Sequence, residues 1–75
     1  MKGKLKTIMA EILDVDESDI NDDFNPDSTD NWDSLRNLQI ITELENQFEI
    51  NLTMSEIYTM INFSEILKVI SAHLE

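Results

Sequence analysis

A chain of 75 residues makes one small domain, able to bury only about 60% of its unfolded surface, so a deep enzymatic cleft is not expected. Its 16 acidic and 5 basic residues give a formal charge of −11, which argues against nucleic acid or anionic lipid as partners and favours proteins with basic patches. The lack of cysteine removes disulfides, thiolate metal sites and cysteine nucleophiles, suits a reducing cytoplasm, and leaves any thiol chemistry to a cofactor.

The first segment, Lys2 to Leu13, places Leu5, Ile8, Met9 and Ile12 on one helical stripe. Lys2, Lys4 and Lys6 lie off that stripe near the N-terminus, where the helix dipole disfavours cations; they read as a solvated face, or as side chains leaning on a nearby acidic loop. From Asp14 to Asp33 the periodicity disappears. Nine of these twenty residues are acidic and none is basic, and Asn25-Pro26 marks a turn. Loops this long are uncommon in a small domain unless pinned, and Val15, Ile20 and Phe24 are the expected anchors, with a helical turn around Ser18 to Ile20. Trp32 is expected to pack beneath the loop. Asp14-x-Asp16-x-Ser18 opens like a calcium loop, but Asp19 stands where glycine is needed and Asn25 where a bidentate glutamate belongs; weak divalent binding is what remains expected.

The strongest amphipathic pattern starts at Ser34. Leu35, Leu38, Ile41, Leu44 and Phe48, widened by Ile40, form the stripe expected to face the other helices, with Leu35 planting the first turn in the core. Thr53-x-x-Glu56 is a capping box that predicts a short third helix over Met54 to Met60, with Ile57, Met60 and Tyr58 turned inward. Asn62-x-x-Glu65 repeats the signal for a last helix, whose inner stripe is Phe63, Ile66, Leu67, Ile70 and Leu74. The reading is all-α: a four-helix bundle of three main helices and a short third, with a long loop between the first and second, forming one domain over 1–75 and expected to be monomeric. No apolar run approaches the ~18 residues that cross a bilayer, so membrane insertion is not expected.

Ser34 carries the chemistry. The first N–H groups of a helix lack internal partners and sit at the positive end of the dipole, so a phosphate attached there is stabilised. The simpler role for such a serine is to cap its own helix, which Asp33 is equally able to do. Asp33-Ser34-Leu35, the helix ending in Glu45-x-x-Phe48, and the two further short amphipathic segments together resemble the acyl carrier protein family over nearly the whole chain. The resemblance implies that Ser34 bears a covalent 4′-phosphopantetheine arm within the motif Asp33, Ser34, Leu35. It further implies that the domain performs no bond chemistry, and that it holds acyl groups as thioesters for fatty-acid, polyketide or related biosynthesis.

The implied partners are a phosphopantetheinyl transferase and acyl-loading and acyl-processing enzymes with basic docking patches. Glu43 and Glu45 would attract them, whereas Arg36, on the expected exposed side of the second helix, would repel them and select for an acidic group, or simply pair with a nearby acid. Many family members have Leu-Gly-Ala or Leu-Gly-Gly before the Asp-Ser pair, where this chain has Asp30-Asn31-Trp32. The Trp-Asp-Ser-Leu form looks more like discrete carriers of specialised pathways than like the housekeeping fatty-acid carrier.

Methionine, isoleucine and leucine from the second and third helices either line an acyl cleft or fill the core, since methionine suits both. Catalysis has little to build on: the only histidine, His73, falls in the last helical turn, where the C-terminal carbonyls are its expected partners, and no second histidine completes a metal site. The reading from another functional class is a non-modified helical adaptor that binds proteins through the second helix. The net charge generates a first prediction: repulsion among the acids weakens the fold at low ionic strength, so added salt or Mg²⁺ should raise the melting temperature. Melting curves that superimpose from low to moderate salt would refute it.

Overall fold

The computed structural model describes all 75 residues, and its regular structure is all helical, with no strand. Four α-helices follow in order, α1 (Lys2–Leu13), α2 (Ser34–Phe48), α3 (Met54–Thr59) and α4 (Phe63–Leu74), with 3₁₀ turns over Glu17–Asp19 and Pro26–Ser28 in the long loop. The third helix stops one residue earlier than its pattern predicts, because Met60 leaves helical geometry to act as its C-cap.

α1 and α2 run antiparallel. The Lys4 ammonium lies 3.4 Å from the Gln47 carbonyl at the end of α2, while the Leu13 carbonyl at the end of α1 receives Asn31 Nδ2 at 2.9 Å and Arg36 Nη1 at 3.4 Å. Each of the two helix C-termini, the negative end of a dipole, thus has a cation from the other helix beside it. Both helices end alike, with a left-handed residue (Asp14 and Glu49, each at φ 55°) followed by an N–H that reaches back five residues: Val15 to the Ala10 carbonyl at 3.2 Å, and Ile50 to the Glu45 carbonyl at 3.1 Å. This is the Schellman closure, made here without glycine.

The acidic loop is fastened by apolar side chains and by main-chain bonds. Ile20, Phe24 and Trp32 are buried with α1, α2 and α4 in one core that also holds Leu5, Met9, Leu13, Ile40, Leu44, Phe63, Ile66 and Ile70. The Phe24 carbonyl accepts the Phe63 N–H at 2.8 Å and the Asp22 carbonyl accepts the Ser64 N–H at 3.1 Å, while Asn62 Oδ1 accepts the Glu65 N–H at 2.8 Å. Three orphan donors of the first turn of α4 are satisfied in this way, two of them by the loop. The loop's acids, by contrast, do not converge: no group of three carboxylates is placed to hold an ion. The weak divalent binding expected from their density therefore has no preassembled site.

Several side chains depart from expectation. Tyr58 is 74% exposed rather than turned inward, and Leu74 lies largely outside the inner stripe of α4, because the short α3 offers only Ile57 to the core and α4 ends before Leu74 meets a neighbour. Of the α1 lysines, Lys2 and Lys4 are exposed and Lys6 is half-buried, and each also has a neighbour: Lys2 leans on the acidic loop, pairing with Asp22 at 3.4 Å, and Lys4 and Lys6 lie over the rings of Phe48 and Phe63 at 5.0 and 5.8 Å. His73 does not turn to the C-terminal carbonyls. Its Nε2 meets Glu56 Oε2 at 2.7 Å, and the other Glu56 oxygen accepts the Thr53 N–H at 2.9 Å, so one carboxylate both caps α3 and ties it to the last turn of α4.

The Thr53 N–H above all, then His73, hold the Glu56 carboxyl below the ordinary carboxylate range. A carboxyl whose folded pKa is depressed adds stability that is fully present above its unfolded value of about 4.3 and vanishes as pH falls through the lower folded value. Glu56→Gln should therefore be less stable than wild type at neutral pH, and the gap should close under acid conditions. Denaturant titrations of both proteins at neutral and acid pH give the comparison, and a gap that does not change with pH would refute the assignment.

Candidate functional site

The approach to Ser34 is fixed from beneath. Trp32 is only 5% exposed; its ring stacks on Phe24 with centroids 5.8 Å apart, and its indole N–H donates to Asn37 Oδ1 at 3.0 Å. A donor-only indole in a low-dielectric setting needs such a partner, and Asn37 supplies it from the first turns of α2. One residue further, Asp33 is the N-cap of α2: its carboxylate accepts the Arg36 N–H at 2.8 Å, and its carbonyl accepts the Asn37 N–H at 2.9 Å. Asp33 therefore performs the capping role that Ser34 would otherwise serve. Ser34 is the first helical residue, it is exposed, and its hydroxyl enters no hydrogen bond within the chain.

The inward face of α2 is rotated from the expected stripe. Ile40, Ile41 and Leu44 are buried, with Asn37 and Phe48 half-buried on the same side, whereas Leu35 and Leu38 are 66% and 63% exposed. At 3.6 residues per turn, Leu35 points nearly opposite to that face. Leu35 does not plant the turn in the core because Trp32 already fills the space beneath the start of the helix. Leu35 and Leu38 instead flank Ser34 on the surface, where with Ile12 they line a shallow groove bordered by Glu43.

The expected docking residues each have work inside the fold. Arg36 is half-buried rather than on the exposed side, reaching the Leu13 carbonyl instead of pairing with an acid. Glu45 accepts the Leu52 N–H at 2.9 Å and pins the segment between α2 and α3, and Glu43 accepts from Gln47 Nε2 at 2.8 Å one turn later. Ser34 and His73 form no catalytic pair, since His73 is committed to Glu56.

On the other side of Ser34 a larger depression of ≈ 740 Å³ opens to solvent between the start of α2, the Pro26–Ser28 turn and the end of α3. Ile57, Tyr58, Met60 and Ile61 give it one apolar wall; Asn37 and Asn62, with Asp27 and Asp33, give it a polar one. The mixed isoleucine and methionine content anticipated an apolar wall. The polar wall was not anticipated, although Asn37, one turn past Ser34, and the cap Asn62 are both plain in the sequence.

Ser34 is thus an exposed, unbonded hydroxyl at the start of an amphipathic helix, beside an open groove. Residues 3–70 match the phosphopantetheine attachment site family, PP-binding, so the chain belongs to that family of covalently modified carrier domains; its prosthetic group is 4′-phosphopantetheine, and it is not an enzyme. A search of curated proteins found no match.

The geometry separates two adjacent side chains by role. Asp33→Ala should cost about 1 kcal/mol of stability, as loss of an N-cap does, while Ser34→Ala should change stability by no more than a few tenths of a kcal/mol. Urea denaturation of the two variants tests this, and a larger loss in Ser34→Ala would return the capping role to the serine.

Proposed function

We propose that Ser34 is the residue that bears the arm, and that the protein carries acyl intermediates as thioesters on it for a fatty-acid, polyketide or related biosynthetic pathway. The observation that carries this reading is the division of labour at the head of α2: Asp33 caps, Trp32 anchors, and the Ser34 hydroxyl is left exposed and unbonded. In the modification the Ser34 oxygen attacks the pantetheine-side phosphorus of coenzyme A. The phosphoanhydride bond breaks, adenosine bisphosphate leaves, and the hydroxyl proton passes to a base of the transferase. The N–H groups of Ser34 and Leu35, which have no partner within the helix, and the helix dipole would favour the anionic phosphate attached there.

Partners must approach the exposed surface around Ser34. Leu35 and Leu38 offer them an apolar contact, and the surrounding carboxylates attract basic patches such as a phosphopantetheinyl transferase and acyl-processing enzymes would present. The absence of cysteine suits the cytoplasm as the place of work. The Trp32-Asp33-Ser34-Leu35 form favours a discrete carrier of a specialised pathway.

Incubation with coenzyme A and a phosphopantetheinyl transferase should add the mass of one phosphopantetheine group. Ser34→Ala should abolish the gain while keeping the helical circular dichroism spectrum. An unmodified wild type would leave the adaptor reading, and modification of Ser34→Ala at the wild-type rate would move the arm to another residue.

A further inference from the structure

A cargo carried on Ser34 could lie within the helices, along the surface beside Ser34 or out in solvent, and the structure bears on the first two of these places. Inside, the 14 side chains of the core cluster pack together, and both depressions in the molecule open to solvent. The way inward from Ser34 passes Trp32 and Asn37. There the indole is held by its stack on Phe24 and by its bond to Asn37 Oδ1, so entry of an alkyl chain would displace a buried aromatic and leave its N–H without a partner.

Outside, the groove beside Ser34 has donors to spare. Asn37 turns its oxygen to the Trp32 indole and Asn62 turns its oxygen to the Glu65 N–H, so the amide nitrogen of each faces away from that bond, and neither donates to any group in the chain. Both side chains line the same groove as Ile57 and Ile61. Asp27 and Asp33 on its rim disfavour an anionic acyl group.

Building on Ser34 as the attachment residue, we propose that the cargo of this carrier is a short, uncharged, hydroxyl-bearing acyl group held in the surface groove by the amides of Asn37 and Asn62, and that a long alkyl chain is not enclosed. The thioester sulfur and the acyl group lie at the far end of the arm, and because the groove borders the serine from which that arm springs, the arm would fold back along it to bring the cargo to Asn37 and Asn62. The apolar wall takes the short carbon backbone and the two amides take its oxygens.

The test loads the full chain with butyryl, 3-hydroxybutyryl and palmitoyl groups, using the corresponding acyl-coenzyme A and a tolerant phosphopantetheinyl transferase. Intact mass confirms loading, and thioester cleavage by hydroxylamine and the melting temperature are then followed. The 3-hydroxybutyryl thioester should be cleaved about threefold more slowly than the butyryl one, the effect of one added hydrogen bond. The palmitoyl form should be neither protected nor more heat-stable. Asn37→Asp, which keeps the oxygen for Trp32 and removes the amide donor, and Asn62→Ser, which keeps a cap, should each reduce the protection of the hydroxylated cargo. Protection and melting temperature that rise with chain length would overturn the proposal, as would equal cleavage of butyryl and 3-hydroxybutyryl groups. Loading that fails altogether, seen as no gain in mass, would instead overturn Ser34 as the attachment residue and this inference with it.

Discussion

The bond from the Trp32 indole to Asn37, closed beneath by the stack on Phe24, is the constraint on which the rest of the site depends. It joins the last residues of an acidic loop to the first turns of α2, and so fixes where that helix begins. Phe24 is itself bound through its carbonyl to the first N–H of α4, so the same contact ties the loop to a third part of the bundle. A loop carrying nine carboxylates has strong reasons to swell into water, and three buried apolar side chains with two main-chain bonds hold it down. The large apolar area of an aromatic pair is well suited to that purpose, because it needs no charge to anchor a charged segment.

With Trp32 below and Asp33 capping, Ser34 is left without structural duty. The consequence is chemical: a residue that holds nothing can be modified without unfolding its surroundings, and a bulky arm can swing from it. The same economy appears at Glu56, where one carboxylate closes the capping box of α3 and receives His73 of α4. α3 is only six residues long and would be marginal alone, so its position as a wall of the groove is owed to that double bond and to Ile57 and Met60.

The charges are arranged along the molecule as well as counted. Three of the five basic residues, Lys2, Lys4 and Lys6, stand at the start of α1, beside the C-terminus of α2 and thus at the opposite end of α2 from Ser34. Arg36, near the serine, is drawn down to the C-terminus of α1. The end of the molecule that holds Ser34 is therefore dominated by carboxylates. The surface next to Ser34 combines this field with two exposed leucines, Leu35 and Leu38.

The sequence by itself determined the helices and their caps, because these are local matters. The 3.6-residue spacing of Leu5, Ile8 and Met9, or of Phe63, Ile66 and Ile70, and the offsets Thr53 to Glu56 and Asn62 to Glu65, each decide a structure within a few residues of themselves. The Asp-Ser-Leu motif at the head of α2 was legible for the same reason; the loop anchors Val15, Ile20 and Phe24 and the packing of Trp32 were legible instead as the large apolar side chains of an otherwise polar stretch, Ile20, Phe24 and Trp32 being buried and Val15 partly so. Only the tertiary structure decided which side of α2 faces inward. Its apolar residues cover more than half the helix surface, and periodicity cannot choose between a stripe that includes Leu35 and one centred on Ile40, Ile41 and Leu44; the volume of Trp32 beneath the first turn makes that choice. It also decided the partners of Arg36, Glu45 and His73, since a long polar side chain can reach many acceptors, and which one lies within 3.5 Å depends on how the helices cross.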